Sequence, residues 1–171
     1  PRLLITPEFS HIGVVGAQLE SVAIKLRAIP IIDGSEGNLA AVDAERSKYA
    51  KTYFVNPGIA YGEVTRKGSA VVAGHIVRCD NDYGYHQSPS NRKISKITGT
   101  STPVDHVLGD TNSLSNLYSE KNISTIVGMD GGYFLWGNNL ADGTLIMHER
   151  IKQIVADSIL LAHQRYIDRN I

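Results

Sequence analysis

The imidazoles and thiols that could serve in acid–base, nucleophilic or metal chemistry are few: six histidines (His11, His75, His86, His106, His148 and His163) and one cysteine, Cys79. No two histidines stand three or four residues apart, the spacing that aligns two ligands on one helix face, and only His148 has a carboxylate next to it, Glu149. They read as scattered surface or hydrogen-bonded histidines. Cys79 falls on the apolar side of a helical stretch, where a buried inert thiol is expected. The segment His11-Ile12-Gly13-Val14-Val15-Gly16, with Asp33 ending the next strand, imitates a dinucleotide-binding turn. His11 stands where its first glycine belongs, and residues 7–10 part the strand from the glycines, so Gly13 and Gly16 are read as close-packing positions. A Rossmann-like nucleotide-binding enzyme is the second reading, and a generic α/β binding domain the third. The chain lacks a phosphate-binding Gly-Lys-Ser/Thr, a Gly-x-Ser-x-Gly elbow and a His-Glu-x-x-His helix. No catalytic residue, cofactor ligand or metal ligand is assigned.

The elements that would position any site fit a single domain over residues 1–171. Seventeen basic against seventeen acidic residues give no net charge, which removes the basic excess of a nucleic-acid binder or a membrane-surface helix. No apolar run approaches the roughly twenty residues of a membrane span. One cysteine permits no intrachain disulfide, which leans towards an intracellular setting, and the opening Pro1-Arg2-Leu3-Leu4-Ile5 has no signal-peptide pattern and reads as the inside of a longer protein.

Hydrophobic periodicity predicts strands over 3–6, 29–32 and 53–55, alternating with helices over 13–27 and 39–51. In the first helix Val15, Leu19, Val22 and Leu26 share a face. Apolar strands separated by helices indicate a partly parallel sheet covered on both sides. A helix follows over 69–82, with Val72, Ile76 and Cys79 on one face. From Ile94 the texture turns to short β runs (94–98 and 104–108), a short helix over 113–121, and two strands, 123–127 and 133–136, joined across Asp130-Gly131-Gly132. The fold class is α/β, passing into α+β in the second half: a mixed, partly parallel sheet flanked by helices.

The middle of the chain carries an ordered set of polar loops. Ser88-Pro89-Ser90-Asn91-Arg92 is followed by Gly99-Thr100, Pro103-Val104-Asp105, Gly109-Asp110, Asn122-Ile123 and finally Tyr133-Phe134-Leu135-Trp136-Gly137-Asn138. Together, in this order, they resemble the sheath proteins of contractile phage tails and related tail-like particles, most strongly over 69–138. The resemblance implies a sheath core domain, truncated at both ends and lacking the terminal arms, in a structural protein rather than an enzyme. It implies a helical sleeve around an inner tail tube that contracts to drive the tube through a host envelope. The implied partners are other sheath copies, the tube protein, the baseplate and the tail terminator; the implied place is the virion tail, assembled in the host cytoplasm. The family carries Arg after the Trp-Gly-Asn turn, where Asn139 stands here.

Ser88, Pro89, Asn91, Arg92, Trp136, Gly137 and Asn138 are therefore expected to be structural. Asn91 should bond back to its own loop, Arg92 should tie loop carbonyls with its five-donor fork, and Trp136 should anchor the core. The last helix, 147–168, has one arc of Ile151, Ile154, Val155, Ile159, Leu161, Ala162 and Tyr166 that is expected to face the core. A second stripe, Ala156, Leu160 and Ile167, is expected on the opposite side as an intersubunit contact; scattered apolar surface residues are the alternative.

Overall fold

A computed structural model of the protein describes residues 3–170; Pro1, Arg2 and Ile171, the ends of the expected 1–171 domain, lie outside the described residues. The first half alternates as expected: β1 (Leu3–Ile5), α1 (Gly13–Leu26), β2 (Ile29–Asp33), α2 (Leu39–Arg46) and β3 (Tyr53–Val55), with β1, β2 and β3 paired in parallel. A hairpin of β4 (Ile59–Tyr61) and β5 (Val64–Arg66) precedes α3 (Ser69–Tyr83). Then come β6 (Arg92–Ile94), β7 (Gly99–Thr100), α4 (Leu114–Glu120), β8 (Thr125–Met129), β9 (Gly132–Trp136) and α5 (Ile146–Asn170).

The parallel strands and the antiparallel set β6-β9-β8 form one continuous surface through Ser124. Its N–H donates to the Phe54 carbonyl and its carbonyl accepts from Asn56 N–H, a parallel bridge between Val55 and Ser124. The order across the surface is thus β1-β2-β3-β8-β9-β6, a mixed sheet as the sequence implies. Strand alternation sends Ile29, Ile31, Tyr53 and Val55 to one face, where Val72, Ala73 and Ile76 of α3 and Ile146 of α5 cover them. Ile32 and Phe54 point to the other face, beneath Val42 of α2 and Tyr118 of α4. The result is a helix–sheet–helix sandwich.

Several expectations change, among them the run 94–98, of which only Ile94 belongs to a strand. The buried side of α1 is Gly16 and Ala23, while Val22 and Leu26 are 44% and 45% exposed. Gly16 is small because neighbouring loops crowd the start of the helix: a Cβ there would meet Tyr49 Oη, in the segment after α2, at 2.4 Å and the Ser10 carbonyl, in the loop before α1, at 2.9 Å, whereas Gly13 faces open space. The run 104–108 is an irregular loop. Over its first three turns α5 is rotated from the expected phase: Ile146, Arg150 and Gln153 pack inward, whereas Ile151 and Val155 are exposed, and residues 158–169, which include parts of both expected stripes, are exposed throughout. Periodicity identifies an apolar arc but not the surface it meets; on the inward side of the helix Arg150 is buried and ion-paired, as described below.

Candidate functional site

The two motifs separated by more than forty residues in sequence are interlocked in space. Antiparallel pairing sets Arg92 opposite Leu135, and the loop before β6 lies against the turn after β9. Asn91 N–H donates to the Leu135 carbonyl at 2.7 Å, Gly137 N–H donates to Ser90 Oγ at 3.1 Å, and Ser88 Oγ donates to Asn138 Oδ1 at 2.9 Å. Tyr53 of the central strand β3 donates its hydroxyl to the Gly137 carbonyl at 2.8 Å. Pro89 is buried and its carbonyl accepts from His75 Nε2 of α3 at 3.0 Å. The loop and the turn are tied to each other, to the sheet and to the covering helix.

Individual residues act through distinct features. Arg92 Nε donates to the Ser88 carbonyl at 2.9 Å, and its guanidinium lies 3.7 Å from the centroid of the Tyr83 ring. The fork therefore clasps its own loop and stacks on α3. Asn91 serves through its backbone, since its side chain is exposed and its φ is 58°, a left-handed conformation that Asn tolerates better than branched residues. Gly137 has φ 133°, and a Cβ there would meet the Cα of Ser124 at 2.7 Å. Trp136 is only half-buried, because alternation in β9 turns Leu135 into the core instead; its ring packs against His106 at 4.4 Å between centroids. Asn139 donates Nδ2–H to Asn122 Oδ1 at 3.0 Å. Ala156 is half-buried on α5, while Leu160 and Ile167 are 50% and 46% exposed. All three continue the inward-facing side of the helix past the body and stand apart from the interlocked loops.

The groups that suggested nucleotide binding are engaged elsewhere. Asp33 is 2% exposed: its Oδ2 accepts from Ser10 Oγ at 2.6 Å and its Oδ1 from the N–H of Ser69, the first residue of α3, also at 2.6 Å. A carboxylate held this way caps a helix and is closed to a ribose hydroxyl. Among the described residues no three His, Cys, Asp or Glu side chains gather into a metal-sized group. The sequence reading missed one buried pair, His75 and Cys79, with Sγ 3.5 Å from Nε2; their four-residue spacing on a helix was the available signal. Burial pushes the Cys79 thiol pKa up, away from nucleophilic use.

This architecture is that of a sheath-type α/β core domain. A chain of the anti-feeding prophage baseplate superposes with a TM-score of 0.76 at 17% identity, over 97% of this chain and 46% of that one. A chain of the anti-feeding prophage helical sheath in its contracted state gives 0.70 at 18% identity, over 95% of this chain and 46% of the other. No protein-family model matches the sequence. A prophage protein described as a major tail sheath protein in Pseudomonas aeruginosa is 37% identical over 183 aligned positions, which take in 100% of this chain and 47% of the relative. The tail sheath protein of Escherichia phage P2 is 29% identical over 184 positions, 100% of this chain and 46% of the relative. Along its whole length the chain is similar to tail sheath proteins, and it spans just under half the length of the curated relatives it matches.

Proposed function

We propose that this chain is the core of a contractile tail sheath subunit, which polymerises helically around an inner tail tube and contracts to drive that tube through a host envelope. The observation that carries the reading is the 37% identity to a tail sheath protein along the whole chain. The interlocked loops suit the role: a subunit whose contacts with neighbours switch between two arrangements has to keep its own fold rigid. Its partners on this reading are other sheath copies, the tube protein, the baseplate and the tail terminator, in a virion tail assembled in the host cytoplasm. The chain is then a mechanical part with no reaction and no cofactor of its own, and binds no nucleic acid. It does not insert in a membrane either; among the described residues no helix is long and apolar enough to cross one. Ala156, Leu160 and Ile167 are assigned to contacts between subunits. Electron microscopy of the full-length polypeptide tests the proposal: tubes or stacked rings are expected, and a monomeric product under all assembly conditions refutes it.

A further inference from the structure

Two surface features of opposite shape and opposite charge lie at different places on the subunit. The first is the loop before α4. Asp110 N–H donates to the Val107 carbonyl at 3.1 Å, and Gly109 has φ 84°, which closes a tight turn with Leu108 at its apex, 85% exposed. The turn is braced at its base. Asp105 Oδ1 accepts from Leu114 N–H at 3.2 Å, the Asp110 carbonyl accepts from Ser113 Oγ at 3.0 Å, and His106 Nδ1 lies 2.8 Å from Ser115 Oγ with its ring on Trp136. An apolar side chain is thus held out in water at the tip of an ordered turn, flanked by the exposed carboxylates of Asp105 and Asp110.

The second feature is a groove of about 280 Å³ between the end of α1 and the start of α5, where the chain enters β2 and β3. Ile24, Ala28 and Ala156 make it apolar, and Arg27, Lys51 and Lys152 line its sides with Glu149, which Lys51 and Lys152 approach at 3.9 and 3.7 Å; Lys51 is also paired with Asp142 at 2.8 Å, so Arg27 and Lys152 carry most of the excess positive charge. Gln153 also lines it, 6% exposed, with Oε1 buried and without a protein partner.

We infer that the Leu108 turn of one copy docks in the α1/α5 groove of the next copy. Helical polymers need a heterologous contact, in which two different patches of the same molecule fit each other, and a helical arrangement is what the sheath reading, on which this inference rests, requires. The acidic shoulders of the turn face the cationic sides of the groove, so the pairing has a sense of direction and weakens with salt. Because the turn is already ordered, docking costs little further conformational entropy.

Cysteine crosslinking in the full-length tube-forming protein tests it, since the native Cys79 is buried. Oxidising tubes of the Leu108→Cys/Ile24→Cys double variant should give a ladder of covalent multimers, and neither single variant should do so. Leu108→Ser should melt at the parental temperature, because the side chain is exposed, yet need about tenfold more protein to polymerise. The inference is overturned if the double variant forms tubes without a ladder, if Leu108→Cys alone yields dimers through tip-to-tip contact, or if Leu108→Ser polymerises like the parent. Failure of the unmodified protein to form tubes would instead remove the sheath reading itself, and the docking with it.

Discussion

Arg150 of α5 is ion-paired through Nη2 with Asp80 of α3, and its side chain is 0% exposed while that of Asp80 is 20% exposed. Nε and Nη1 of Arg150 are also buried, without a protein partner. A guanidinium taken out of water depends on its one carboxylate, so Asp80→Ala should destabilise the fold by about 3 kcal/mol or more, the scale for stranding a buried charge. Arg150→Met, which removes the charge and keeps the volume, should cost clearly less. Urea denaturation of the two variants checks the ordering; an Asp80→Ala loss no larger than that of Arg150→Met sinks it.

Arg92→Lys replaces a planar fork by a point charge and weakens both the bond to the Ser88 carbonyl and the stacking on Tyr83. The expected cost is about 1 kcal/mol, a drop of about 3 °C in melting temperature for a chain of this size. Calorimetry that finds no drop would show that the loop is held without the arginine.

Gly137→Ala places a methyl group 2.6 Å from Ser124 Oγ and 2.7 Å from Ser124 Cα, at a φ that side chains rarely adopt. Ser124 is the residue that stitches β3 to β8, so the clash falls on the seam of the sheet. A loss of about 2 kcal/mol or more is expected in chemical denaturation. A near-neutral result would mean that the seam can shift.

Burial holds the imidazole of His75 below its ordinary pKa, opposed by the bond to Pro89 and reinforced by the Arg78 and Arg92 cations. Below about pH 6.5 the unfolded chain takes up a proton there that the folded chain resists. The unfolded state then binds more protons, so this group's effect is to lower stability as the pH falls through that range. His75→Gln should flatten the decline between pH 7.5 and pH 5; a slope equal to the parent's would assign it to other groups.

Leu160→Glu should leave the fold intact, since Leu160 is 50% exposed and the inward contacts of α5 end earlier along the helix. In the full-length protein it should suppress polymerisation by putting a charge where the proposed contact needs desolvation. Thermal melting and electron microscopy read the two effects separately, and tubes of normal length would discard Leu160 as a contact.

Much of the architecture is local information. Apolar runs at 29–32 and 53–55, bounded by turn formers and alternating with helical periodicity, specify parallel strands whatever else the chain does, and β3 is found at its expected bounds. The motif loops were legible as turns because Pro, Asn and Gly have narrow conformational preferences. The hairpin β4–β5 passed unnoticed although Gly62, at φ 60°, supplies its turn, because its strands are only three residues each. Tertiary structure alone decided what distant groups do to one another. Alternation along a strand makes Leu135 and Trp136 take opposite sides, but only the position of the neighbouring strands and helices determines that Leu135 is the buried one. An arc of apolar residues on α5 says that some face is sticky; only the tertiary structure shows that Ile146, Arg150 and Gln153 meet the body, with Arg150 paired to Asp80, and that residues 158–169 are exposed all round the helix.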